Sequence, residues 1–308
     1  MNIKIKIKKT WGQELEYDRV MTFGFCKDIY LPYTELRAAF QVSDDVKGDW
    51  CEISLLIDGK TLHHGLVDTL DCYIMNGERI CSLTSKSFTS LLIRNQIELG
   101  MYPNVSLNTL MSGFYSIPNV THENSSDTGN YIYIRKNATM WDGIVNLAYK
   151  LKGTHPYIRG TNEVRISYVQ SPEDFSFSDG EIVRSGVRYD NTRLTSGFHM
   201  QNIAGQYGDF DLTDYEVIGN KIVRNKYFDL DRQFLYNPQE ALQFRQKFDR
   251  RGWRQQYCRY SGYRGEDLTD MFSFTGFNGR RITYVSVTGN QNGIFTELAG
   301  YEDGFING

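Results

Sequence analysis

The sequence predicts a mostly β chain of the α+β class, in which two β modules flank a small helical and β-α-β-β insertion. Three observations carry that prediction. Short runs of alternating or β-branched residues recur towards both ends of the chain. Asp58-Gly59, Asn76-Gly77 and Asn278-Gly279 punctuate those runs, and such pairs supply the positive-φ residues of tight hairpins. Between the two regions, Thr139 heads an apolar stretch at helical spacing that stops at Gly153. The expected boundaries are 1–86 for the first β domain, 87–178 for the middle domain and 179–308 for the second β domain.

At 308 residues the chain exceeds the ~250 at which single cores stop growing, so two or three domains are expected. Its 21 tyrosines and 18 phenylalanines suit pleated, half-buried surfaces. Ordinary β packing explains them more simply than a sugar-binding platform does. Net charge is 34 − 37 = −3, which offers no overall attraction for nucleic acid. No run of about 18 apolar residues is present to span a bilayer. The alternating start, residues 1–9, lacks the apolar block of a secretory signal, so synthesis in the cytoplasm is expected. Cys26, Cys51, Cys72, Cys81 and Cys258 form no Cys-x-x-Cys pair, and reduced thiols packed in the sheets are expected. The Asn-x-Ser/Thr triplets at Asn104, Asn119, Asn124 and Asn137 mean little without a secretory route.

Along the chain, Ile3, Ile5 and Ile7 alternate with Lys4, Lys6 and Lys8, giving a strand with one apolar and one basic face. Its lysines mark it as an edge strand. Residues 36–42 and 51–57 read as strands. Asp58-Gly59 then turns the chain into a long return strand towards Ile74, and Asn76-Gly77 sends it back through 80–83. Gly65 is expected at a bulge that bends the long strand, as barrel closure requires. Residues 87–97 and 106–114 read as helices, and 118–130 as an exposed polar loop.

The middle unit runs through strand 131–134, a helix with Trp141, Ile144, Val145, Ala148 and Leu151 on one face, and strands 156–159 and 164–169. Strands are expected at 182–189, 197–203 and 215–223. Asn237, Pro238 and Glu240 open a helix reaching about Trp253, with Asn237 as its cap. Its face of Arg245, Lys247, Arg250, Arg251 and Arg254 reads as a solvated surface or subunit contact rather than a phosphate site. Strands 271–275, 281–287 and 294–298 complete a second meander around Asn278-Gly279.

The chemistry-bearing residues assemble no recognised site. His63 and His64 are neighbours in a strand and point to opposite faces, so they cannot chelate one ion. His122, His155 and His199 are isolated. There is no His-Glu-x-x-His, cysteine quartet, Walker loop or dinucleotide fingerprint. No thiol has a local histidine signature. The pairs Asp44-Asp45, Glu173-Asp174 and Glu302-Asp303 invite a glycosidase reading, which requires a separation of ~5–9.5 Å across a cleft. Adjacent acids in polar loops are ordinarily solvated. No catalytic, cofactor-binding or metal residue is assigned, and neither enzyme activity nor a cofactor is expected.

The run LLIDGKTLHHGLVD over 55–68 is similar to the strand, tight turn and return strand of tail hubs. The serine-rich run LTSKSFTSLL over 83–92 is similar to their switch into helix. With helix 106–114 and the β-α-β-β unit around Trp141 following in the same order, the chain resembles the baseplate hub proteins of contractile phage tails and phage-tail-like bacteriocins. The resemblance is specific near residues 51–92 and covers most of the chain in organisation. It implies two tail-tube-like β-barrel domains per chain and a homotrimeric ring. Three chains with two barrels each give six positions, so the ring matches a hexameric tail tube above and a trimeric central spike below, and lines the axial channel. The partners it implies are the tail tube protein, the spike, other baseplate wedge proteins and the tape measure protein, with assembly in the baseplate after synthesis in the bacterial cytoplasm. Some such hubs are fused to cell-wall hydrolases; a chain ending at Gly308, soon after its second meander, is expected to lack one. The tail-tip hub of a non-contractile siphophage tail is the alternative of the same class. A peptidoglycan hydrolase or peptidase, and a carbohydrate-binding module, are the alternatives of other classes.

Overall fold

The computed structural model describes residues 2–43, 49–114, 116–230, 237–302 and Phe305. The N-terminal strands are β1 (Ile3–Lys9), β2 (Glu14–Tyr17), β3 (Val20–Asp28), β4 (Thr34–Gln41), β5 (Trp50–Ile57), β6 (Lys60–Met75) and β7 (Glu78–Ser87). A 3-10 turn, Phe88–Ser90, leads into α1 (Leu91–Arg94), β8 (Gly100–Val105), α2 (Leu107–Gly113) and β9 (Thr121–His122). The middle region continues with β10 (Gly129–Ile134), α3 (Met140–Lys152), β11 (Tyr157–Arg159) and β12 (Glu163–Arg165). Next come β13 (Asp174–Phe177), β14 (Ile182–Tyr189), β15 (Gly197–Met200), β16 (Phe210–Thr213), α4 (Tyr215–Gly219) and β17 (Asn225–Phe228). The chain closes with α5 (Pro238–Asp249), β18 (Arg254–Ser261), β19 (Met271–Phe274), β20 (Phe277–Arg281), β21 (Tyr284–Asn290) and β22 (Gly293–Tyr301). The fold is mostly β, as the sequence predicts.

Among the described residues, eleven strands pair in the order β14-β18-β22-β21-β3-β4-β7-β6-β5-β1-β2. The N-terminal strands and the C-terminal four are thus continuous, joined where β21 pairs antiparallel with β3 and Val287 faces Phe25. One core follows this sheet from Ile5, Phe25 and Leu36 to Val285, Val287 and Leu298. Ile5 and Ile7 are fully buried, and each such side chain contributes up to about 1.5–3 kcal/mol. The middle region has its own core around Ile132, Trp141, Ile144, Leu147 and Val164. There Thr139 and Asp142 form the capping box, and Gly153 ends α3 at φ 67°. Both predicted N-terminal hairpins form: Asp58 and Gly59 have φ 49° and 81°, and Asn76 and Gly77 have φ 53° and 81°, the type I′ geometry that matches strand twist.

Several expectations change. β1 is not the edge strand, because β2 pairs along it; Glu16 of β2 neutralises Lys4 at 2.5 Å, and Lys6 lies 3.6 Å away. Gly65 is not at a bulge. The register shifts fall on either side of it, between Leu55 and Leu56 and between Val67 and Thr69. Glycine is needed at 65 because a Cβ would sit 2.1 Å from the Lys86 carbonyl oxygen. The helix expected over 87–97 shrinks to the 3-10 turn and one short helix. The strand expected over 215–223 begins instead as α4, since the Asp214 side chain caps it by accepting from Val217 N at 3.2 Å.

Nor is Asn278-Gly279 a turn. The chain reverses at Thr275-Gly276, with Gly276 at φ 82°, and Asn278 and Gly279 lie within β20. α5 stops at Asp249, short of Trp253. The thiols are not all reduced: Cys72 and Cys81 form a disulfide, while Cys26, Cys51 and Cys258 are free. The two bonded cysteines stand at equal distances from Asn76-Gly77, so the two-residue turn places them directly opposite each other.

Candidate functional site

The histidines are engaged in packing. His63 is buried with both ring nitrogens satisfied, Nδ1 at 2.8 Å from Thr34 Oγ1 and Nε2 at 2.8 Å from Ser85 Oγ. Burial, with His64 beside it, lowers its pKa to about 3, so the ring is neutral near pH 7. His64 points to the other face, 3.3 Å from Glu52. His155 is enclosed by Tyr30, Trp141, Phe248 and Phe305, donates from Nδ1 to Pro156 O at 2.7 Å, and is lowered to about 3 chiefly by burial. His122 Nδ1 donates to Glu123 O at 2.9 Å, and His199 lies 2.7 Å from Asp211.

Burial raises the Cys26 thiol to about 11 and the Cys258 thiol to about 12, so neither is a thiolate nucleophile at neutral pH. Among the described residues, no three His, Cys, Asp or Glu side chains gather as metal ligands would. Of the weighed carboxylate pairs, Asp174 is exposed at the start of β13, and Glu302 is bonded to Arg280 and Gln256 at 2.9 Å each. Asp44-Asp45 and Asp303 lie outside the described residues.

Two clefts open in the middle region. The first, of about 430 Å³, is polar and has Glu123 in its wall. That carboxylate is already committed, accepting from Ile166 N and Ser167 N at 3.0 Å each and meeting Arg165 at 3.1 Å. The second, of about 570 Å³, lies between β8 and α2 and is lined by Ile97, Tyr102, Val105, Leu110, Phe114 and Met140.

The basic face of α5 is half-buried and engaged within the chain. Arg250 grips Asp214 with Nε to Oδ2 at 2.7 Å and Nη2 to Oδ1 at 2.5 Å. Burial pushes the Asp214 carboxyl up, but bonds from Arg250, Gln246 and Val217 N outweigh it and hold the carboxyl below its usual value. Arg245 lies over the Phe228 ring and Arg251 over Phe248, at 4.4 and 3.7 Å. These arginines clamp the helix to its own chain.

A buried ion cluster ties the three parts of the chain together, and sequence reasoning missed it. Lys27 of β3 donates to Gly160 O at 2.7 Å and is paired with the Asp267 carboxylate. Asp267 also accepts from Gly160 N at 2.7 Å. Arg159 of β11 meets Asp270 at 2.9 Å and Leu268 O at 2.5 Å. Burial drives the Lys27 pKa down against the pull of Asp267. Lys27 and Asp267 stand 240 residues apart, so no local spacing announces their pairing.

Exposed apolar side chains gather at Tyr73, Ile74 and Met75 on the β6–β7 hairpin and at Val183, Val187 and Tyr189 on β14.

No protein-family model matches the sequence, and no curated protein matches it. Solved structures do match the fold. The tail protein from Neisseria meningitidis MC58 is 15% identical, with a TM-score of 0.74 over 99% of this chain and 98% of its own. The 43 kDa tail protein of prophage MuSo2 from Shewanella oneidensis is 12% identical, with a TM-score of 0.67 over 97% of each chain. The E. coli c3393 protein, a component of the type VI secretion system similar to T4 bacteriophage tail proteins gp27 and gp5, is 10% identical. It superposes with a TM-score of 0.56 over 94% of this chain and 77% of its own. At such identities the likeness is one of architecture: this chain has the tail-hub-like fold of phage tail proteins, the fold that its resemblance over residues 51–92 implies.

Proposed function

We propose that the chain is a structural baseplate hub. Three copies form a ring, and two β modules per copy supply six positions that meet a hexameric tail tube. The other side of the ring meets a trimeric spike, and its lumen is the axial channel. The observation that carries this reading is the end-to-end match of fold, 99% of this chain on 98% of a tail protein. The neutral buried histidines, the raised thiols and the committed carboxylates support a role without catalysis.

Sedimentation and native mass measurement of the purified chain, followed by cryo-EM of the assembled species, test the proposal. A three-fold ring with six similar barrel positions is the expected result. A stable monomer that degrades peptidoglycan would replace this reading with the hydrolase alternative.

A further inference from the structure

The chain carries two uncovered β surfaces of opposite character. The first is the outer end of the β6–β7 hairpin, where residues 71–78 are all exposed. Successive strand residues point to opposite faces, yet Tyr73, Ile74 and Met75 are 40%, 68% and 46% exposed. Both faces of this ribbon therefore stand in solvent with apolar side chains. An isolated two-stranded ribbon is marginal in water, and the Cys72–Cys81 bond clamps this one at its base. The stretch carries Asp71 and Glu78, and the first basic residue, Arg79, follows where the ribbon meets the sheet, opposite Ile74.

The second surface is β14, an outermost strand of the large sheet. It runs for eight residues without lysine or proline, its guards being Arg184, Arg188 and a register shift confined to its start, between Ile182 and Arg184. Ser185 faces Cys258 and Val187 faces Gln256 in the register with β18. Cys258 belongs to the main core. Ser185, Val187 and Tyr189 therefore continue the core side of the sheet past its last covered position, and Val187 and Tyr189 remain 45% and 64% exposed. β14 carries Arg184 and Arg188 and no acid; within the chain Arg184 donates to Tyr257 Oη at 3.0 Å and Arg188 meets Glu297 at 3.1 Å, each keeping further N–H donors.

We propose that the stapled hairpin of one copy seats on the β14 edge of the next copy of this chain. Its apolar tip covers Val187 and Tyr189, and Asp71 and Glu78 approach Arg184 and Arg188. The mode is strand addition to an open edge, with charge and apolar area matched on the two sides. This rests on the ring reading and names the contact that closes it. Donor and acceptor are different patches of one chain, so the contact is heterologous and propagates from copy to copy until the ring shuts.

Two exposed substitutions, Ile74→Asp on the donor and Val187→Asp on the acceptor, test it by sedimentation. Each variant alone is expected to remain a monomer with unchanged circular dichroism. An equimolar mixture retains one intact donor and one intact acceptor, and is expected to give a one-to-one dimer and no ring. Met75→Glu and Tyr189→Glu provide a second pair should either first variant misfold. Rings of normal size from the single variants would overturn the contact while leaving the hub reading in place. A mixture that stays monomeric would show that hairpin and β14 do not meet. A monomeric unmodified chain would overturn both proposals.

Discussion

The two halves of the large sheet are built in opposite ways. β1 to β7 follow one another between Ile3 and Ser87, and β5, β6 and β7 are joined by two-residue turns. Of the four C-terminal strands only β21 and β22 form a tight hairpin; residues 190–253 separate β14 from β18, and residues 262–283 separate β18 from β21. In the first half, turn chemistry sets the register locally. In the second, apart from the β21–β22 hairpin, register comes from pairing with distant strands, whose loop-closure cost must be met before contact is made. The second half therefore leans on the first, through the β21–β3 seam and the ion cluster at Lys27.

Breaking that cluster is the most severe way to test the dependence. Lys27→Ala leaves the part-buried Asp267 carboxylate and the Gly160 carbonyl without their cation, a loss of about 3 kcal/mol. Arg37→Ala removes an exposed pair with Glu35 and is expected to cost less than about 1 kcal/mol. Denaturant unfolding of the two variants measures both. Equal costs would show that the cluster does not lock the halves together.

Two glycines sharpen the comparison at the next level. A Cβ at Gly65 would meet backbone, the Lys86 carbonyl oxygen at 2.1 Å, and strand β7 cannot retreat without losing its ladder. At Gly289, opposite Phe23 across the seam, the three atoms nearest to a Cβ all belong to the Phe23 ring, the closest at 2.0 Å. A ring can turn. Gly65→Ala is expected to cost about 3 kcal/mol and Gly289→Ala about 1–2 kcal/mol, read from thermal unfolding. The reverse order would mean that the seam is the more rigid of the two places.

The same contrast decides what the sequence made legible. The Asp58-Gly59 and Asn76-Gly77 hairpins, the alternation of β1 and the caps at Thr139 and Asn237 are encoded within a few residues, and all form where expected. The disulfide ran against the expectation of reduced thiols, although Cys72 and Cys81 are symmetric about Asn76-Gly77 and the signal lay in that spacing. β2 was missed because four residues, Glu14-Leu15-Glu16-Tyr17, are too short for a pattern. α4 was misread because the Asp214 cap outweighed the β-branched Val217, Ile218 and Ile222. Asn278-Gly279 misled because pairing with β19 overrode its turn preference. The histidines and carboxylates were legible as lacking a motif, whereas the Lys27 cluster was invisible, being assembled wholly by tertiary pairing.

Acid titration separates the halves more gently. His63 sits within the first half, between β4 and β7, and its folded pKa of about 3 lies below the ordinary 6.5. The unfolded chain therefore binds the extra proton between those values. The stability this neutral ring contributes is fully present above pH 6.5 and declines as pH falls towards 3. The slope is up to about 1.4 kcal/mol per pH unit. His155, packed against α5 by Phe248, adds a second titration of the same sign. His63→Gln is expected to flatten the stability profile over that window by about one proton. An unchanged slope would mean that the unfolding transition does not expose His63.

The smallest effect concerns the outer hairpin, where the local half of the sheet leaves its core. Chain entropy alone assigns a bond closing so short a loop roughly 2–3 kcal/mol. Residues 71–78, however, are exposed on both faces, so without the bond this ribbon frays within the folded protein and regains freedom that offsets much of that sum. Cys72→Ser is therefore expected to cost about 1 kcal/mol globally. Amide exchange should quicken across 71–78 while 60–67, between β5 and β7, stays protected. Retained protection at the outer end would show that backbone pairing alone holds the hairpin, and that its readiness to meet a partner does not depend on the staple.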